Sequence, residues 1–225
     1  MAVGAAASDA VEESLVGARR HAGALLPMAH RALARRGIGL DGVEGLALSD
    51  GPGSFTGLRV GASVAKALVQ ARGLPLWTAP SLMVRARGAG QPGRTILAVA
   101  NALRGELYAA AYRFEAEGVR TLLAPSVHRP DALVAGTVRP DFLVGEAPEP
   151  AARLLEAWAG APLVGPPEGA PHARVLLGLV DLSGGASRVE CVQGWEPVYG
   201  RPAEAQARWE TAHGRPLSHS VGSSG

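Results

Sequence analysis

Gly51-Pro52-Gly53-Ser54-Phe55-Thr56-Gly57-Leu58-Arg59-Val60-Gly61 decides how this chain is read. An apolar, strand-like run, Val43 to Leu48, precedes it, followed by Asp50. A helix-like run, Leu58 to Arg72, follows, closed by Gly73. Glycines and a proline at such a junction specify a tight turn, because Gly reaches backbone conformations other residues resist and Pro fixes φ. The turn ends at a helix N-terminus, whose free N–H groups favour an anion.

Two phosphate-loop readings fail on spacing. No Gly-Lys-Ser/Thr follows the glycines, and the only lysine, Lys66, lies well inside the helix. Gly51-x-Gly53 begins a dinucleotide fingerprint, but Thr56 holds the third glycine's place. No Asp or Glu occurs between Asp50 and Glu106 to meet a ribose. A strand–turn–helix connection without a ligand remains open. Ser54 lacks the Gly-x-Ser-x-Gly elbow of a hydrolase nucleophile, and no histidine is assignable as its partner. The six histidines, His21, His30, His128, His172, His213 and His219, include no helical i, i+4 metal pair. The residues therefore predict no metal site and no catalytic group.

Bulk composition sets the class. The 225 residues are 47% hydrophobic and 19% charged, which suits a globular chain able to bury a core in one domain or two lobes. Aromatics make up only 4%, so Ala, Leu and Val must build that core. The single cysteine, Cys191, excludes an internal disulfide and reads as a small buried strand residue. No apolar run reaches membrane-spanning length and no signal-peptide pattern opens the chain, so a cytoplasmic location is expected. Net charge is +2. Seven cations without an acid lie between Asp50 and Glu106, readable as an RNA- or acid-facing stretch or, preferably, as dispersed solvated arginines.

Hydrophobic periodicity gives a coarse map. Ala2–Ser14 reads as a weak strand or hairpin, and Ala18–Arg36 as a helix containing Pro27 and ended by Gly37. Strands are expected at 43–48, 74–78, 96–100, 106–114, 142–144 and 195–198, and helices at 58–72, after Ser81, at 150–160, 175–182 and 202–213. The Gly- and Pro-rich stretch 88–94 marks a change from βα to ββ patterning. The expected division is a first lobe over 1–90, completed by the terminal helix 202–213, a second lobe over 91–201 and a flexible tail over 214–225. Gly57, Gly61 and Ala65 recur every four residues, a small-residue stripe suited to close contact with a partner helix. Val60, Val64, Ala67, Leu68 and Ala71 form a second stripe, read as serving the chain's own core.

The 51–61 string resembles the signature of the TsaB (YeaZ) family, the bacterial partner subunit in making threonylcarbamoyladenosine in tRNA. Arg19-Arg20-His21 through Leu25-Leu26-Pro27, Leu74-Pro75, Ser81-Leu82, Asn101 through Tyr108, Glu196 through Pro202 and Trp209-Glu210 extend the resemblance over roughly residues 10–213. It implies an α/β fold of the actin-like, sugar-kinase-like ATPase (ASKHA, RNase H-like) type, two lobes of mixed sheet with helices. It implies a non-catalytic subunit that dimerises with a TsaD-like enzyme and supports threonylcarbamoyl transfer to adenosine 37 of tRNA, with a TsaE-like ATPase in the assembly. ATP and metal are implied for those partners and none for this chain alone. A homodimer, and tRNA as the complex's substrate, belong to the same expectation. The implied contact helices, His21–Arg36 and Gly57–Arg72, would present His21, Leu25, Met28, Gly57, Gly61 and Ala65. The alternatives are a nucleotide-dependent kinase-like or hydrolase enzyme of the same fold, or a peptidase acting on its partner. Two departures stand out: no counterpart of the family's opening apolar strand is found, and Asn101 and Leu103 replace an Asp and an Arg.

Overall fold

The computed structural model describes residues 1–15 and 21–200. The expected terminal helix and tail lie outside them. A two-residue-strand hairpin, β1 (Ala2–Val3) and β2 (Val11–Glu12), opens the chain. Helix α1 (His21–Arg35) follows with Pro27 inside it. Gly37, at φ 68°, takes the left-handed conformation that lets the chain turn out of the helix.

Next comes a βαβ unit. β3 (Leu46–Ser49), α2 (Phe55–Arg72) and β4 (Leu76–Ala79) form it, with the two strands parallel as a helical crossover requires. Ala65 and Val69 of α2 pack with Leu76, and partly buried Leu46, Leu48, Val189 and Trp195 close around them. Helix α3 (Ser81–Gly88) is buried along most of its length. Pro80, not Ser81, occupies its cap position.

The second sheet is the larger, in the order β7-β6-β5-β8-β9. β5 (Thr95–Asn101), β6 (Leu107–Phe114) and β7 (Val119–His128) are antiparallel neighbours; β8 (Phe142–Gly145) and β9 (Leu163–Val164) extend the sheet in parallel from β5. Period-two alternation sorts its side chains. Ile96, Ala98, Ala110, Tyr112 and Phe114 pack with α3 and with Leu176 and Leu179 of α6 (Arg174–Val180). Leu97, Val99, Ala109, Ala111 and Leu143 pack with Leu133 of α4 (Pro130–Val134) and with Ala151 and Leu155 of α5 (Glu149–Ala159). Helices on both faces explain why β5 and β6 read as unbroken apolar runs.

Three expectations change here. The segment expected to belong to the second lobe also reaches the first sheet: β10 (Ser187–Arg188) pairs with β4, and α6, whose Leu176 and Leu179 pack on the larger sheet, also touches β3 and β4. Residues 195–198 form no strand. Their chain turns, with Trp195 N–H donating to the Cys191 carbonyl, and Val198 N–H donating to that of Asp50. Cys191 lies exposed in that turn rather than buried in a strand.

Candidate functional site

Both neighbouring and distant residues hold the 51–61 loop. Gly51 sits at φ 119°. A Cβ there would collide with the Val198 carbonyl oxygen and lie 3.3 Å from Leu58 Cδ1, so only glycine fits. The Gly51 carbonyl accepts from Ser81 N–H at 2.7 Å, tying the loop to the start of α3. Ser54 is the N-cap of α2, its hydroxyl accepting from Gly57 N–H at 3.4 Å and its carbonyl from Leu58 N–H at 2.9 Å. Phe55 lies 4.7 Å, centroid to centroid, from the ring of Tyr199, and the Arg59 guanidinium sits over the Phe55 ring at 5.2 Å. Glycine matters less at the other two positions. A Cβ at Gly53 would find its nearest neighbours, atoms of Leu58, at 4.0 Å, and one at Gly57 would make ordinary contact with Ser54 at 3.6 Å.

The loop also joins the two sheets. Gly200, at φ 74°, comes so close to Tyr108 of β6 and to Pro52 that a Cβ would stand 2.6 Å and 3.0 Å from them. Lys66 pairs with Glu196 at 2.9 Å and lies 5.8 Å from the Trp195 ring, fixing the 195–200 segment on α2. Behind the loop stands Asp50. Burial raises its carboxyl above the usual carboxylate range, with the Thr78 side-chain hydrogen bond opposing. Burial also pushes the Tyr112 phenol well up, and the charge of Asp50 adds to it. The Tyr112 hydroxyl is buried and has no hydrogen-bond partner.

The predicted interface stripes divide differently in space. Ala65 is 7% exposed and belongs to the core with Val69 and Leu76, so it does not face outward. Gly61 is half-buried, its Cβ position 3.4 Å from Leu48. Ala67 and Ala71, assigned from sequence to the core, are exposed, while Val60, Val64 and Leu68 are half-buried. The cause is phase. The helix buries Ala62, Ala65 and Val69, which puts Val60, Ala67 and Ala71 on the opposite side at 100° per residue. That outer side, with Thr56 and Ser63, carries no charge. On α1, Met28 is buried at 6% exposure, Leu25 is half-buried, and Leu26, not singled out from sequence, is exposed at 56%. The side chain of His21 lies outside the described residues.

Five of the seven cations in the basic stretch have local partners. Arg59 covers Phe55, Lys66 meets Glu196, Arg72 pairs with Asp41, Arg85 with Glu146 at 3.3 Å, and Arg87 covers Phe114. In the 101–106 turn, Asn101 Oδ1 accepts from Leu103 N–H at 2.8 Å, holding Leu103 and Arg104 at positive φ. Among the described residues, no three His, Cys, Asp or Glu side chains gather to hold a metal, and no helix is long and apolar enough to cross a membrane.

Comparison with known proteins agrees with this arrangement. The family model TsaD, tRNA N6-adenosine threonylcarbamoyltransferase, matches residues 15–147, more than half of the chain. The chain belongs to the TsaD/TsaB (YeaZ) family. Over 103 residues it is 38% identical to the tRNA threonylcarbamoyladenosine biosynthesis protein TsaB of Escherichia coli, covering 45% of each chain. It is 38% identical over 92 residues to TsaB of Haemophilus influenzae, covering 40% of this chain and 39% of that one. The chain thus spans less than half the length of these two relatives. Among solved structures, a Pseudomonas aeruginosa protein described as similar to peptidase YEAZ superposes with a TM-score of 0.69 at 27% identity, covering 85% of this chain and 89% of the other. YeaZ from Pseudomonas aeruginosa superposes at 0.62, covering 76% and 80%. The TsaB resemblance and the ASKHA-type α/β fold expected from the sequence are borne out.

Proposed function

We propose that this chain is a cytoplasmic supporting subunit for threonylcarbamoyladenosine synthesis in tRNA, and that it acts by pairing with a TsaD-like catalytic subunit. Its relatives named TsaB supply the pathway. The observation that carries the pairing is the outer side of α2, where Val60, Ala67 and Ala71 stand opposite the buried side and no charge interrupts them. Small, uncharged residues let a partner helix approach closely without stranding a desolvated charge. Leu26 of α1 adds an exposed apolar side chain. In this reading the 51–61 loop is architectural. It starts α2, anchors the 195–200 segment and joins the two sheets, while ATP and metal belong to the TsaD-like subunit and a TsaE-like ATPase. Co-expression with an affinity-tagged TsaD-like protein tests the pairing. The wild-type chain is expected to co-purify in a fixed ratio, and Ala67→Glu to be lost from the eluate while remaining folded by circular dichroism. Equal recovery of both would remove α2 from the interface.

A further inference from the structure

Tyr112 stands apart from the rest of the core. Among the described residues, three buried side-chain atoms lack a hydrogen-bond partner: Arg85 Nη1, Arg113 Nε and the Tyr112 hydroxyl. Both arginines reach an acceptor through another nitrogen, Glu146 at 3.3 Å and Thr95 Oγ1 at 2.7 Å. Tyr112 has only its hydroxyl, and its side chain is fully buried. A buried donor without an acceptor costs stability, so its place in the core calls for a cause.

The matching acceptor is Asp50, on the other sheet. Tyr112 of β6 belongs to one apolar cluster with Ala79 of β4, and Ala47 of β3 packs against it. The cluster brings the ends of β3 and β4 against β6, near enough for the Asp50 charge to act on the phenol. Asp50 is fixed by its backbone: its N–H donates to the Ala79 carbonyl at 3.1 Å, and its carbonyl accepts from Val198 N–H at 2.8 Å. Its carboxyl is served by the Thr78 hydroxyl and its own N–H, while an ionised carboxylate has room for about four donors. The charges on neighbouring elements are engaged elsewhere. Arg59 of α2 lies over Phe55, Lys66 pairs with Glu196, Arg85 of α3 pairs with Glu146, and Arg174 of α6 lies 3.9 Å from Glu12. β6 contributes two phenols on this side, Tyr108 and Tyr112, and burial raises both.

We propose that Asp50 and Tyr112 form a proton-operated latch between the two sheets: when the Asp50 carboxyl is ionised the Tyr112 hydroxyl donates to it and draws β6 onto the end of β3, and when the carboxyl takes a proton the bond is released. Both sides gain on closing. The buried donor finds an acceptor, and the half-buried anion gains a third donor. The latch lies beside the junction where the 51–61 loop and the 195–200 segment join the sheets, so closing it stiffens that junction. Burial holds the Asp50 carboxyl above the ordinary range, which moves the switch nearer to neutrality than for an exposed aspartate. The latch is independent of the α2 pairing proposed above.

Carboxyl carbon NMR of the full chain, titrated with pH, tests the latch; the Asp50 resonance is assigned by its loss in Asp50→Asn. Tyr112→Phe keeps the ring and removes only the donor. Two or three donors lower a carboxylate by roughly two units, so losing one should move the Asp50 midpoint up by about 0.5–1 unit. Hydrogen exchange supplies a readout of the junction itself. Protection of the Val198 amide, corrected for the intrinsic pH dependence of exchange, should rise as Asp50 ionises in the wild type and stay level in Tyr112→Phe and Asp50→Asn. An unchanged or lower midpoint in Tyr112→Phe overturns the proposal, as does Val198 protection that ignores Asp50 ionisation in the wild type. If Tyr112→Phe fails to fold, Asp50→Asn decides: a rise in Val198 protection that persists in that variant overturns the latch.

Discussion

Gly51→Ala puts the loop's geometry to a quantitative test. At φ 119° an L-residue is strained, typically by about 1–3 kcal/mol. The new Cβ cannot coexist with the Val198 carbonyl, so the 198 segment must withdraw. Withdrawal breaks the 2.8 Å bond from Val198 N–H to the Asp50 carbonyl, worth about 0.5–1.5 kcal/mol net. The sum is about 1.5–4.5 kcal/mol. For a chain of this size, that lowers Tm by roughly 5–15 °C. Gly53→Ala is the matched control, with nothing nearer than 4.0 Å to its Cβ position and no positive φ. It should stay within about 0.5 kcal/mol of wild type. Urea denaturation of the three proteins, followed by circular dichroism, measures both differences. Gly51→Ala within 0.5 kcal/mol of wild type, or Gly53→Ala matching its loss, would refute the assignment of shape to Gly51.

Three further outcomes follow from named contacts. Ser54→Ala should cost about 0.5–1 kcal/mol in the same denaturation assay, the low end for a cap, because the bond it removes is exposed and 3.4 Å long. Ala65→Arg should destabilise by on the order of 3 kcal/mol, since it forces a charge and excess volume against Val69 and Leu76; a folded variant of wild-type Tm would return Ala65 to an outward face. Asp50→Asn should flatten the pH dependence of stability. The folded carboxyl holds its proton to higher pH than the unfolded 3.8, so wild-type stability is greatest below that value and falls as pH rises through the raised folded pKa. The variant should therefore gain relative to wild type between pH 3.5 and 7, and a constant difference across that range would contradict the burial of Asp50.

Much of this fold was legible because local signals agreed. Strand, Gly-Pro turn and helix at 43–72 left little choice, and the central strands announced themselves by runs covered on both faces. β7 escaped because Pro125 and the exposed Arg120 break its pattern. It borders the sheet beside a register shift, where such residues are tolerated. β9 and β10, two residues each, are too short for periodicity to show. On α2 the two stripes did not separate as assigned, because both contain small apolar residues; composition could not say that Ala65 meets Leu76 while Ala67 and Ala71 lie exposed. The role of Gly51 is likewise a tertiary matter, fixed by Val198 almost 150 positions away, which no local spacing reveals.

The central claim is best tested in cells that lack their own TsaB. The chain is supplied on a plasmid, and threonylcarbamoyladenosine in purified tRNA is measured by nucleoside mass spectrometry. The wild-type chain and Ser54→Ala are predicted to restore the modified nucleoside, and Ala67→Glu, expressed to the same level and folded, to fail. Failure of the wild-type chain beside a co-purifying TsaD-like partner, or full restoration by Ala67→Glu, would contradict a supporting subunit that works through the outer face of α2.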